Sequence, residues 1–337
     1  MSPVTDEGSQ QELENEIAAL ESRLASAKHR LREKSKAAIS SHRGGLGGGD
    51  DDAQSPPPPP PNPPPPRAPV ATDAAHHYLL LLSDSALPLG SFAFSSGLES
   101  YLAHGRQQQQ HTSTSTSTST PPPSFASFLP LALSSYARTS LPFVLAAHRD
   151  PSPGALASLD DALDATMICT VGRRGSVAQG RALLSIWEKS LGPAAGCSSS
   201  SALAPFAALL RTSSSSLSSS SSPETEGEEQ LLPPPVSAHL APLFGAVAAL
   251  LGLTARQAAY VFLLSHAKAL VSAAVRAGCF GPYRAQSVLA GPALRDALGD
   301  AVAREWRTPV EDAGQRVPVM DLWVGRHELL YSRIFNS

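Results

Sequence analysis

The sequence predicts an all-α fold, a helical-bundle-like domain of about eight to ten helices. Apolar residues recur at helical spacing through nearly all of the chain beyond His76. Paired start and stop signals bound the longest such stretch, and no alternating β-branched run competes for a sheet. A disordered amino-terminal extension and two low-complexity loops accompany the domain.

The chain has 337 residues, with 31 Pro and 24 Gly, and the Pro and Ser residues are clustered. Length therefore overstates the part that packs. Residues 1–76 are read as an extension. Within it, Leu13, Ile17, Leu20, Leu24, Ala27 and Leu31 trace a heptad seam over 9–38. That seam suits either a solvated helix or a short coiled-coil dimer. A Gly/Pro-rich linker follows at 44–69, flexible at first and then stiffened by polyproline. The helical domain is assigned to 77–337, interrupted near 105–123 by a Gln and Ser-Thr tract and near 192–235 by a Ser-rich, then acidic, stretch. Neither has the apolar content that offsets the entropy of ordering.

Helices are expected at 91–104, 124–137, 141–149, 154–168, 170–191, 201–211, 238–252, 254–278 and 282–304. Thr254 and Gln257 form a capping box at the head of the eighth, and Gly278 supplies a left-handed stop at its end. Its apolar residues leave little polar face, so it is expected at the centre of the bundle.

A formal net charge of −3 gives no basic surface for nucleic acid. The first residues, MSPVTDEGSQQELENEI, lack the cationic and apolar regions of a secretory signal, and the longest apolar stretches contain Pro242, His266 and Lys268. Cys169, Cys197 and Cys279 form no CxxC pair, as expected of a reducing compartment. These features predict a cytosolic protein without a membrane span.

Catalytic machinery is not legible. No His has a second His, Cys or carboxylate at zinc-site spacing, so no metal site is assigned, and His266 reads as a hydrogen-bonded core residue. Gly175 to Ala182 has phosphate-loop glycines but lacks the Lys and Ser/Thr that meet phosphate and magnesium. GxSxG is absent, and Cys169 reads as a small buried hydrophobe. Asp84, Glu99, Asp321 and Glu328 would pair only if the fold brought them together.

Two stretches go beyond generic helix packing. One runs Leu82-Ser-Asp84-Ser-Ala-Leu-Pro88-Leu-Gly90-Ser-Phe92-Ala-Phe94-Ser-Ser-Gly97-Leu-Glu99; the other is Arg326-His-Glu-Leu-Leu-Tyr331-Ser-Arg333-Ile-Phe335-Asn-Ser337. Together they resemble the "DSxLPxGxFxxSxGLE" opening and "HExxYSRxFxS" ending of the urease accessory protein F (UreF) family. The segments Arg173-Arg174-Gly-Ser176, Ala274 to Gly278 and Gln286 to Leu289 are similar as well. The resemblance spans about 77–337 apart from the two insertions. The Gly281-Pro282-Tyr283 turn departs from the Gly-Gln turn of many bacterial members, which points to a fungal or other eukaryotic branch.

The resemblance implies a non-enzymatic helical scaffold for nickel insertion into apo-urease. Such a protein would dimerise, bind the UreD/UreH accessory protein, recruit and regulate the UreG GTPase, and pass nickel in transit without holding it as a cofactor. Glu99, with Ser96 and Phe94, would lie at the GTPase-facing surface, although Glu99 also suits a plain exposed helix carboxylate and Phe92 and Phe94 also suit a core. Arg326, His327, Glu328, Tyr331, Arg333 and Phe335 would lie at the UreD/UreH side, the alternative being docking of this arm on its own domain. Two other functions stay open on the residues alone. One is a non-urease helical adaptor with a coiled-coil arm, and the other an enzyme whose carboxylates and serines assemble only in three dimensions.

Overall fold

The computed structural model describes residues 71–112, 123–196, 201–218 and 236–336. The heptad stretch at 9–38, the linker at 44–69 and residues 113–122, 197–200 and 219–235 of the two insertions lie outside the described residues. Within the insertion expected near 192–235, Gly192–Ala195 and Ala204–Ser218 are helical, because Leu203, Phe206 and Ala207 are buried in the core. Among those described there is no strand. The helices are α1 (Ala71–Ser83), α2 (Leu98–Thr112), α3 (Phe125–Arg149), α4 (Pro153–Thr166), α5 (Thr170–Ile186), α6 (Ala204–Ser218), α7 (Leu240–Leu250), α8 (Ala255–Arg276), α9 (Pro282–Ala290), α10 (Pro292–Glu305) and α11 (Val319–Arg326). A π-turn, Trp187–Leu191, carries α5 into a further short turn, Gly192–Ala195.

The centre of the bundle is α3 crossed by α7 and α8. Every residue of α7 from Leu240 to Ala248 is buried, the outcome for a helix apolar on all sides. Gly245 makes the crossing possible: a Cβ there would sit 2.1 Å from the Val144 carbonyl oxygen of α3. Thr254 Oγ1 accepts the Gln257 amide at 3.3 Å while Gln257 Oε1 accepts the Thr254 amide at 2.9 Å, so the expected capping box opens α8. Gly278 closes it with φ 75°. Among the described residues α8 alone is long and apolar enough to cross a membrane, and 56% of that stretch is buried inside the protein. Burial among helices accounts for its apolar sequence.

Three boundaries differ from expectation for identifiable reasons. The helix expected from 91 begins at Leu98, because Gly90, Ser96 and Gly97 adopt positive φ and only a 3-10 turn, Ser91–Ala93, forms before it. The helices expected at 124–137 and 141–149 are one, with Pro130 and Pro142 inside α3. Each interior proline costs roughly 3 kcal/mol, yet Leu141, Phe143, Val144 and Leu145 are fully buried by the neighbouring helices. Packing decides that contest. The helix expected at 282–304 is divided at Gly291, where Pro292 opens α10, as the first helical position tolerates proline.

Beside the main core lies a smaller cluster that joins Leu98 and Leu102 of α2, Phe125 and Phe128 of α3 and Leu270 and Ala274 of α8 to Met320 and Phe335. This cluster brings the carboxyl-terminal arm against the loop before α2.

Candidate functional site

The opening stretch folds as a loop pinned at several points. Asp84 Oδ1 accepts the Ala86 amide at 2.9 Å, fixing the turn before Pro88, as a short acidic side chain does. Ser91 donates to Gln179 Oε1 of α5 at 2.8 Å. Phe94 is half-buried against Gly175, whose hypothetical Cβ would touch the ring at 3.4 Å. Gly97 meets two demands at once. Its φ is 87°, and a Cβ would lie 3.0 Å from the Val324 nitrogen and 3.2 Å from Trp323 in α11.

Glu99 stands in the first turn of α2, where its charge suits the helix dipole. It faces the terminal arm. His327, in the turn after α11, points Nε2 at Glu99 Oε2 at 2.9 Å. The Ile334 amide donates to Oε1 at 2.7 Å and the Phe335 amide to Oε2 at 3.3 Å. His327 is fully buried, and the Glu99 side chain is only 12% exposed. With Nε2 spent on the carboxylate, His327 Nδ1 is left buried without a partner.

The arm is held from two further directions. Phe335 is buried beneath the Arg276 guanidinium, 4.3 Å from its ring, a cation over an aromatic face. Arg276 also donates to the Phe92 carbonyl, and the Asn336 amide donates to the Ala93 carbonyl at 2.8 Å. Arg174 of α5 pairs with Glu328. The opening and closing stretches are thus one junction. Glu99, His327 and Phe335 form its interior, Glu328 is tied at its edge, and Arg326, Tyr331 and Arg333 are exposed. Phe92 is 65% exposed beside it, with Leu322, Leu329 and Ile334 also uncovered.

Beneath the loop is a cavity of about 160 Å³ between α3, α5, α8 and α11. Its wall includes Ser96, Ser140, Cys169, Ser176, His266 and Asp321. His266 stacks on Tyr136 with ring centres 3.8 Å apart. Burial lowers the His266 pKa to about 3 and raises that of Tyr136 above its usual range. Both rings are therefore neutral near pH 7. Among the described residues, no three His, Cys, Asp or Glu side chains are grouped so as to hold a metal ion.

A second polar network was invisible to spacing. Asp160, fully buried on α4, accepts the amides of Ser237, Ala238 and His239 at 2.6, 3.0 and 2.6 Å, and so fixes the turn that leads into α7. One turn later, Asp164 accepts from His239 Nε2 at 2.9 Å and pairs with Arg173. Burial alone would raise the Asp164 pKa. Hydrogen bonds from His239 and Arg173, with their charges, outweigh it and hold the carboxyl below its ordinary value. His239 Nδ1 lies 3.0 Å from Ser176 Oγ, so a Ser, a His and an Asp do assemble. The imidazole is sealed from solvent, and Ser176 Oγ also accepts the Leu240 amide at 3.4 Å. The array ties α4, α5 and α7 together. The local signals were the four-residue spacing of Asp160 and Asp164 and Arg173 nine residues beyond Asp164; the partners at Ser237, Ala238 and His239 lie 75 or more residues away.

The UreF family model matches residues 120–293. An uncharacterized urease accessory protein UreF-like from Schizosaccharomyces pombe is 36% identical over 256 residues, covering 76% of this chain and 94% of that protein. Urease accessory protein F of Oryza sativa subsp. indica is 28% identical over 257 residues, covering 75% and 82%. Urease accessory protein 6 of Cryptococcus neoformans is 27% identical over 310 residues, covering 76% and 95%. The similarity runs through fungi and plants, in keeping with the branch expected from the Gly281-Pro282-Tyr283 turn, and the chain belongs to the UreF family of urease accessory proteins.

Proposed function

We propose that this urease accessory protein is a non-catalytic scaffold that binds a UreD/UreH-type protein, recruits and regulates a UreG-type GTPase, and promotes GTP-dependent nickel insertion into apo-urease. The observation that carries this reading is the junction at Glu99: the two stretches that mark the family meet there, ringed by exposed Phe92, Leu322, Leu329, Tyr331 and Ile334. An apolar patch of this kind on a folded domain suits a protein partner. Tyr331 and Arg333 are the side chains of the terminal arm most available to the UreD/UreH-type protein, and aromatic and Arg residues are common anchors at such contacts. Phe94 and Ser96 line the cavity beneath the loop, and in this reading they support the GTPase-facing side from within. The complex is proposed to contain two copies of this chain and to act in the cytosol, where a thiol such as Cys169 stays reduced.

Nickel is the cargo of this reading. The cavity wall offers it hydroxyl oxygens, the Cys169 thiol, the Met167 and Met320 thioethers, one carboxylate and the neutral His266 ring, and among the described residues no three His, Cys, Asp or Glu side chains are grouped to retain it, which supports passage over tight binding.

The test is urease activity in a strain lacking this gene, with apo-urease protein quantified and excess nickel tried alongside. Activity should be lost while apo-urease persists. Full-length protein should restore it, and a chain ending before Arg326 should not. Undiminished activity in the deletion strain would exclude the scaffold reading.

A further inference from the structure

The chain holds three methionines and three cysteines in 337 residues. Apart from the first residue, both methionines, Met167 and Met320, stand on the wall of the cavity between α3, α5, α8 and α11, and Cys169 stands there with them. Cys169 is half-buried and faces this space, not the sealed core that its sequence suggested.

Local geometry explains the grouping. Met167 and Cys169 are both extended, with φ −84°, ψ 92° and φ −74°, ψ 110°. In extended backbone, residues two apart share a side and the one between them faces the other way. Ile168 is accordingly 83% exposed, which leaves Met167 and Cys169 turned inward. A Cβ on Gly172 would lie 3.8 Å from the Met167 methyl, 3.8 Å from Val324 Cγ1 and 3.9 Å from Cys169 Cβ, so the loop and α11 converge on one corner. The Cys169 sulfur faces α11, 3.9 Å from the position of a Gly325 Cβ. Met320 is buried, four residues before Val324 and on the same face of that helix.

We propose that this corner is a binding site for a soft monovalent metal ion, copper(I), held by the Cys169 thiolate and the Met167 and Met320 thioethers. Thiolate and thioether donors select copper(I), whereas carboxylate and water suit harder ions. Charge acts in the same direction. Binding releases the Cys169 proton to solvent, and one thiolate with two neutral thioethers makes the copper(I) site neutral overall. A divalent ion on the same three sulfurs would leave a buried unit charge, which an enclosed apolar corner disfavours. Asp321, the carboxylate on the cavity wall, is engaged by the Gln315 amide at 3.0 Å. The site thus discriminates against the nickel(II) cargo proposed above, and it does not depend on that proposal.

The experiment titrates copper(I) into the full-length, reduced chain under anaerobic conditions. Bicinchoninate competes for the ion, and its coloured complex fades as the protein withdraws copper. One equivalent should be withdrawn, X-ray absorption at the copper edge should show sulfur ligands, and excess nickel(II) should not displace the ion. C169S should weaken binding about a hundredfold and M167L or M320L about tenfold, the range in which even indirect partners of a metal ion count. Leucine nearly conserves the volume of methionine, so these variants keep the fold. C197S/C279S, which lacks the other two thiols, should bind as the wild type does.

Binding unchanged in C169S, or unchanged in both methionine variants, would overturn the proposal. So would displacement by nickel(II), loss of binding in a folded C197S/C279S chain, or a wild-type chain that withdraws no copper. If C169S unfolds, the methionine variants carry the test alone, since a thiol elsewhere would be indifferent to M167L and M320L.

Discussion

Gly97 shows how much one residue can fix. It holds a left-handed conformation and lets the backbone of α11 approach within contact distance. Gly97→Ala therefore meets a conformational penalty and a steric one together, and a loss of about 2 kcal/mol or more is expected. Urea denaturation would show a lower midpoint, and trypsin cleavage after Arg333 should accelerate as α11 shifts. Single residues were the least legible level of the sequence. Glu99 and His327 each stood out within a motif, but nothing local indicated that they bond to each other across 228 residues. Ser96 was read as part of a helix, and its positive φ, 50°, is the reason the helix starts later. His266 was expected in a core, and the structure places it half-buried, on the wall of a cavity, stacked on Tyr136.

At the scale of elements, periodicity located most helices, and tertiary packing corrected their ends. The capping box of α8 was readable because Thr254 and Gln257 are three residues apart and satisfy each other locally. The continuity of α3 was not readable, because Pro142 signals a break and only burial against α7 and α8 overrides it. Two short or peripheral helices, α1 and α11, left too weak a pattern to be found. The crossing of α3 and α7 is the most demanding contact between elements. Gly245→Ala would drive a methyl into the Val144 carbonyl region, and the two helices must separate along their length. We expect a loss of about 3 kcal/mol, the upper end for overpacking a core, measured as a lowered denaturation midpoint with retained helical circular dichroism at low temperature.

Across the whole molecule, buried ionisable groups make stability depend on pH. The His266 pKa is lowered from 6.5 to about 3, so over that interval the unfolded chain takes up a proton that the folded chain refuses. Stability should decline as pH falls from about 6.5, by up to about 1.4 kcal/mol per unit for this group. Asp164, held below its ordinary 3.8, adds in the same direction: its contribution is complete above that value and is lost as pH falls through the folded pKa. Urea midpoints measured between pH 7 and 4 should fall for the wild type, and His266→Phe should flatten the curve in that window. A curve of unchanged slope would remove His266 as its cause. The fold class and the family were legible at this scale because helical periodicity and long motifs survive in one dimension. The polar network of Asp160, Asp164, His239 and Ser176 was not, because its members come from three separate segments.

The distance along the chain between Glu99 and its partners has a consequence for synthesis. Ile334 and Phe335 follow Glu99 by 235 and 236 residues, and His327 by 228. At about 5 to 20 residues per second, the ribosome takes roughly 11 to 46 seconds to add the stretch between Glu99 and His327. Throughout that interval the carboxylate has none of these three donors, and the loop around Phe92 and Ala93 lacks its cover. Binding that depends on the closed junction therefore discriminates between nascent and completed chains.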